Sequence, residues 1–380
     1  MEIRIKISYL ATVIACVLVL FIGSKTAVSG NLELMNYSQD IVKAKVIRIV
    51  DREKLNVNPD EPVPMSMSGE LVTFEARITG AERKGEIIIA SQNLNSSFYG
   101  TQKEVTQNAS VVLIHSNEEW HFNGYLRINR ILVLGIIFAL CVLILGRKNG
   151  FNTILSLGFT CTAIFAVFIP AILSGRNIYF MSISVCIFIM VMMPLIVIGY
   201  NKKSLAAILG CAGGVIIAGI IALVMDKSLF LTGIIDEHSR YLINLPGDIK
   251  LNLRAVVFAG IIIGAMGAVN DVAISISSSL WEIKDKAPGI KFSELFKSGL
   301  NIGRDIMGTM ADTLILAYIG SSLSVVLLLS VFSGSFLGLF NSEMIAVEIL
   351  QALAGSFGIL FAMPLTALFS SLIFVKKNQV

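Results

Sequence analysis

Apolar residues dominate the chain from Ile7 to Gly23 and again from Ile128 almost to its end, with a polar stretch of different rhythm between them. After residue 128 the apolar runs fall at about 129–146, 151–173, 178–200, 204–225, 254–280, 304–333 and 345–374. Runs of this length are what an α-helix needs to cross a ~30 Å hydrocarbon core at roughly 1.5 Å per residue. Together with Ile7–Gly23 they predict eight transmembrane helices. The polar stretch instead carries short alternating or β-branched runs at Ile41–Val50, Leu71–Thr79, Glu86–Ala90 and Ser110–His115. Turn-forming clusters such as Asn56-Val57-Asn58-Pro59 and Met67-Ser68-Gly69 separate them. About five short strands in this space predict a small β-barrel or sandwich of the oligonucleotide/oligosaccharide-binding type. The expected fold is a mainly α-helical polytopic membrane protein with a small extracytoplasmic all-β domain. Its parts are a signal-anchor helix over 1–23, the β-rich domain over 24–128 and a multi-helix transmembrane domain over 129–380.

A hydrophobic content of 55% and a mean hydropathy of +0.79 exclude an ordinary soluble domain. The net charge of +4 comes from loop lysines, and no basic stretch interleaved with aromatics points to nucleic acid. Those lysines and arginines also orient the chain. Arg4/Lys6, Arg147/Lys148, Lys202/Lys203, Lys284/Lys286/Lys291/Lys297 and Lys376/Lys377 all fall on one side of the expected spans. The positive-inside rule then places both termini in the cytoplasm and residues 24–128 outside. Ser24–Gly30 offers no clean small-x-small cleavage site, so the first helix is read as retained.

Candidate chemistry is sparse. Cys16, Cys141, Cys161, Cys186 and Cys211 all lie in apolar runs, which excludes a disulfide-stapled outer domain and any CxxC metal site. His115, Trp120 and His121 stand close together, but two histidines without an adjacent carboxylate or cysteine make a poor metal site. No Walker A loop, dinucleotide fingerprint, HExxH or GxSxG occurs, so no cofactor is expected.

The exception is a pair of acids inside apolar runs. On a helix, Gly260, Gly264, Gly267, Asp271, Ser275 and Ser278 fall within about 80° of arc, making one small, polar seam. Asp305, Gly308, Thr309, Asp312 and Leu316 share a face of the next helix in the same way. Asp271 and Asp312 each lie ~12–14 Å from the same membrane surface, near the middle of the core. Small residues at a seam let helices approach closely, so Gly260, Gly264, Gly267 and Gly308 are read as packing positions with the acids turned inward. Arg304 and Asp305 are read as an ion pair near the cytoplasmic interface. A charge at the bilayer centre costs at least ~2.5–3.5 kcal/mol, which points to use of Asp271 and Asp312, with Ser275 and Thr309 beside them.

The stretches GAMGAVNDVAISISSSLWEI (Gly264–Ile283) and FKSGLNIGRDIMGTMADTLILAYIG (Phe296–Gly320) resemble the YibE/F-like family of bacterial multi-span membrane proteins. The resemblance extends to the layout of one N-terminal helix, an outer domain and a run of helices. It implies a bacterial cytoplasmic-membrane protein and supplies no substrate.

The acids favour a secondary transporter or ion-coupled permease, with Asp271 binding or relaying a proton or cation. The alternative is a non-transporting assembly or signalling protein whose outer domain meets a protein or cell-wall partner. Homo- or hetero-oligomers suit either reading, and the lipid bilayer is the surrounding solvent. An intramembrane aspartyl protease is disfavoured, because Ala268-Val269-Asn270 and Thr309-Met310-Ala311 precede the acids where such enzymes carry Gly-x-Gly.

Overall fold

The computed structural model describes residues 2–28, 41–55, 69–80, 83–95, 103–116, 118–243, 250–332 and 335–375. They form two compact units, Met1–Leu34 with Val142–Val380, and Met35–Cys141. The first helix therefore belongs with the helical unit, and the second boundary falls at 142 rather than 129. The expected turn at Asn56–Pro59 and most of that at Met67–Gly69 lie outside the described residues, as do Lys376/Lys377.

In the smaller unit, β1 (Ile41–Leu55), β2 (Gly69–Ile78), β3 (Ile87–Asn95), β4 (Ser110–Ser116) and β5 (Glu119–Tyr125) close into a barrel. Their order around it is β1-β2-β3-β5-β4. Every pairing is antiparallel except the short parallel contact of β3 with β5, Ala90 with Trp120 and Ser91 with His121. Alternation along the strands sends Val46, Val72, Phe74, Ala76, Ile78, Val111 and Leu113 inward, each 1% exposed or less. Two irregularities in β1, between Val46 and Arg48 and between Ile49 and Asp51, let one long strand pair with both β2 and β4. On the surface, Arg48 donates twice to Glu75, at 2.9 and 2.6 Å.

In the larger unit, α1 (Glu2–Val28) packs on the segment that ends at Leu173. Tyr9 donates to Asn152 Oδ1 at 2.9 Å, and Ser174 Oγ donates to Ala27 O at 2.6 Å. The run Ile128–Leu173 comprises α2 (Ile128–Thr162), a π-helical stretch Ala163–Phe168 and α3 (Ile169–Leu173). Its backbone leaves helical geometry at Arg147, with φ 48° and ψ −122°. Pro170 lacks an N–H donor, and the π stretch just before it takes up the irregularity. Next come α4 (Ile178–Val197), α5 (Lys202–Ser228), the short α6 (Glu237–Ile243) and α7 (Leu253–Lys286). Asn177, Asn201 and Asn252 cap α4, α5 and α7, each side chain accepting from the backbone N–H three residues on.

The last elements are α8 (Phe292–Ser321), α9 (Leu323–Phe332), α10 (Phe336–Phe340) and α11 (Glu343–Val375). The expected single span 304–333 is instead α8 and α9, bent by 61°. Ser321 Oγ donates back to Tyr318 O at 2.8 Å beside the break, a bond that competes with the helical ladder. Among the described residues six helices are long and apolar enough to cross a membrane, or seven if the bent pair is one span. The count of eight treats Ile128–Leu173 as two spans, whereas it is one helical run of 46 residues interrupted at Arg147. Such a run is more than twice as long as one ~30 Å crossing requires.

The centre of this unit is α5, α7 and α11. A Cβ on Gly214 would lie 2.6 Å from Gly358 O and 2.8 Å from both Ala362 Cβ and Val269 Cγ1. Gly210 fits against Thr366, and Gly213 against Leu365. Gly210, Gly213 and Gly214 thus let α5 pack closely on α11, while Gly219 of the same helix faces Phe258 and Ile262 of α7.

Gly214→Ala should therefore force α5 and α11 apart and cost about 1–3 kcal/mol, read as a lower unfolding midpoint of the detergent-solubilised protein. In the barrel, the hydrogen bond and charge of Arg48 hold Glu75 below the usual carboxylate range. A lowered folded value stabilises above the ordinary carboxylate range and loses that contribution as pH falls through the folded value. Arg48→Ala should move the Glu75 titration upward, measured by NMR of the Glu75 side chain.

Candidate functional site

The side chains that hold α7 in the bundle are Phe258, Ile262, Met266, Val269, Ala273, Ile276 and Leu280, all buried. The seam at about 80° of arc is what this packing leaves over. Gly267, Asp271 and Ser275 are exposed in the chain, and so are Gly308, Thr309 and Asp312 on α8. The acids expected to turn inward thus stand on faces that the rest of the chain leaves open. The reason is volume: the branched and long apolar residues of α7 give more contact with α4, α5 and α11 than a glycine seam can.

Helices α7 and α8 touch near both ends of this open stretch. A Cβ on Gly299 of α8 would meet Leu280 of α7 at 2.9 Å, and a Cβ on Gly264 of α7 would meet the hydroxyl of Tyr318 of α8. These contacts define an antiparallel register that sets Asp271 level with the Thr309–Asp312 turn. Between them, Cβ positions on Gly267 and Gly308 meet nothing within 4 Å. Helix α11 closes one side, with Met363 against Gly303 and Leu314 of α8 against Gly355. The other side is open.

Individual residues then sort as follows. No hydrogen bond or ion pair joins Asp271 to Asp312 among the described residues. Thr309 Oγ1 donates to Ile306 O at 2.9 Å, and Thr313 Oγ1 to Thr309 O at 2.7 Å, so both hydroxyls serve their own helix. The expected ion pair of Arg304 with Asp305 does not form. Consecutive helical residues point about 100° apart, and both side chains are exposed. As packing glycines, Gly260 and Gly264 abut the tips of Gln351 and Tyr318, whereas Gly267 and Gly308 pack on nothing. Asn270 leaves this face altogether. It is buried at 1% exposure, its Nδ2 lies 2.9 Å from Met193 Sδ, and its Oδ1 has no partner.

Two polar residues of this region, Tyr318 and Gln351, escaped sequence reasoning, and a third, Glu348, reads from the sequence only as an interfacial acid at the outer start of the last helix. Glu348 and Gln351 are three apart on α11 and share its face, a spacing visible in the sequence. Glu348, Tyr318 and Ser322 line a cavity of about 180 Å³ between α8/α9 and α11, where Glu348 Oε2 is buried without a partner. Glu343, which the sequence also places at the start of α11, instead accepts from Thr232 N and Oγ1 and from Gly233 N at 2.7–2.8 Å. It ties the loop before α6 to the start of α11. At the opposite end Ser277 Oγ donates to Lys203 O at 2.7 Å, and Lys203 lies 3.7 Å from Glu282. No group of three or more His, Cys, Asp or Glu arranged for a metal occurs among the described residues.

Long apolar helices with polar groups gathered along α7, α8 and α11 define a multi-pass membrane protein carrying a small β-barrel. Residues 134–376 match the model of the family described as YibE/F-like protein, and the chain belongs to that family. No curated protein and no solved structure matches it.

Cysteine scanning separates the open face from the packed ones. With the native cysteines replaced, water in the open stretch would make Ser275→Cys react readily with a membrane-impermeant thiol reagent, whereas a lipid-facing or subunit-covered seam would leave it unmodified. Ser277→Cys, fully buried against the Lys203 carbonyl, should stay unmodified.

Proposed function

We propose that the chain is a secondary transporter or ion-coupled permease of the bacterial cytoplasmic membrane. Its pathway runs along the gap between α7 and α8, where Asp271 takes up and releases a proton or small cation. The observation that carries this reading is the open stretch between the two helix contacts. A carboxylate facing lipid at mid-depth costs at least ~2.5–3.5 kcal/mol, so Asp271 and Asp312 are expected to meet water or a second protein surface. Asp312 and Ser275 line the same gap, and α9, bent away from α8, supplies an element able to move. Oligomerisation, with itself or with another membrane protein, would cover the open side.

In the proposed topology Ile128–Leu173 makes two spans that meet at Arg147, giving eight crossings. Both termini are then cytoplasmic and the barrel is outside, as the bias of lysine and arginine requires. The first helix is retained, in keeping with the bond it donates to Asn152 and the one it accepts from Ser174, which hold it in the bundle. An enzymatic role is not proposed. A protease dyad needs two carboxylates sharing one proton, and no hydrogen bond links this pair.

Purified protein reconstituted in vesicles should carry proton flux that Asp271→Asn abolishes and Asp312→Asn reduces, with folding and insertion unchanged. Wild-type flux retained by Asp271→Asn, or none from folded wild type, rejects proton coupling through this acid. A second reading, an assembly or signalling protein acting through the barrel, draws on the cleft described next. It predicts the reverse pattern, in which deletion of residues 30–125 destroys function and Asp271→Asn leaves it intact.

A further inference from the structure

The barrel bears a cleft of about 980 Å³ across the outer faces of β2, β3 and β5. It lies wholly within residues 35–141 and is separate from the helices discussed above. Its floor follows from strand register. Thr73 pairs with Ser91, and Ser91 pairs with His121, so three polar side chains stand in one row across three strands. Ser91 Oγ lies 3.1 Å from His121 Nδ1, a contact that ties the imidazole to β3 where both residues line the cleft. One step along β3, Asn93 pairs with Leu71, and in the other direction Ile89 is 63% exposed. The cleft lies where β3 and β5 part after only two paired residues each.

This lining selects a chemistry. Thr73, Ser91, Asn93 and Asn123 offer uncharged donors and acceptors beside the His121 imidazole, and Leu71 and Ile89 offer apolar surface among them. The charges at the margin balance, Lys103 and Arg127 against Glu118 and Glu119. A polyanion needs a positive field, and this cleft has none in net. A volume near the upper end of small-molecule sites exceeds what one small polar molecule fills. We infer that the cleft binds an uncharged oligosaccharide of hexopyranose or N-acetylhexosamine units. The hydroxyls and amides of the sugar would bond the Thr73–Ser91–His121 row and Asn93, while its C–H faces lie on Leu71 and Ile89. The strand order β1-β2-β3-β5-β4 is that of barrels whose strand 2–3 face takes extended ligands of this kind. The barrel's proposed position outside the membrane would put the cleft within reach of wall glycans. The site does not depend on transport by α7 and α8.

The test is calorimetric titration of the full chain in lipid nanodiscs with chitotetraose, a single-stranded oligonucleotide and an unstructured neutral peptide as probes. Chitotetraose should bind, and the near-isosteric Thr73→Val and Ser91→Ala should each weaken it about tenfold, the loss of one or two well-made hydrogen bonds. Asn93→Ala should act in the same direction, and Lys45→Ala, exposed on β1, should change nothing. Circular dichroism of each variant establishes that the barrel is intact. Absence of chitotetraose binding by folded wild type overturns the inference. So does glycan binding indifferent to Thr73→Val and Ser91→Ala, and so does oligonucleotide or peptide binding that these variants weaken in its place.

Discussion

Helices in lipid gain nothing from hiding apolar surface, since the solvent is as apolar as leucine, so their association rests on how closely their backbones meet. Here that approach is set where Gly214 of α5 faces Gly358 and Ala362 of α11, with Val269 of α7 wedged beside both. The junction leaves no room for a single added carbon. Gly210 and Gly213 extend it along α5 against Thr366 and Leu365. Once α5 and α11 are held at this distance, the rotation of α7 is determined, because Val269 has to enter the space the glycines leave. The polar seam of α7 then points away from the junction. Asp271 is open in this chain because Val269, two residues earlier and about 200° round the helix, is locked.

The same constraint separates two kinds of intramembrane polar group. Ser277 and Asn270 lie on packed faces, and each finds a protein atom, the Lys203 carbonyl or the Met193 sulfur. Asp271, Ser275 and Asp312 lie on the open face with no side-chain hydrogen bond or ion pair among the described residues. Buried polar groups serve cohesion, and their worth is set by satisfied hydrogen bonds. Open ones at this depth are an energetic cost unless something else meets them. Water in a pathway and the surface of another subunit are two environments that remove that cost, and the oligomeric permease proposed above would supply both.

Much of this was legible in the chain. Run lengths located the long apolar helices but not how many crossings they make, and period-2 alternation located four of the strands. The helical wheel identified the seam that the structure leaves open. What the wheel does not report is which arc the bundle buries. That depends on the summed volume of Val269, Ala273 and Ile276 against α5 and α11, a tertiary quantity. The break between α8 and α9 was hidden because Ser321-Ser322 interrupts an apolar run without a proline or charge. Strand β5 was hidden for another reason: Glu119–Tyr125 reads as a cluster of aromatic and imidazole rings rather than as an alternating strand. Glu348 looked interfacial by position, yet its Oε2 is buried without a partner beside the cavity it lines with Tyr318.

The barrel repeats the lesson of α7 with the opposite geometry. Its inward residues, Val72, Phe74 and Ala90, are all but fully buried, so register is strongly specified and a one-residue slip would turn Thr73 and Ser91 into the core. The polar row on its outer face is therefore tied to the same alternation that makes the core. Gln92, inward and 5% exposed, reinforces this by donating to Lys103 O and accepting from Val105 N, which pins residues 103–105 across the barrel end. Tyr125 donates to the Glu104 carbonyl in the same place. These bonds hold the segment beside the cleft at the point where β3 and β5 separate. The opening is thus a built feature of the barrel, held by hydrogen bonds, the one from Val105 N to Gln92 buried, that a merely frayed sheet edge would not possess.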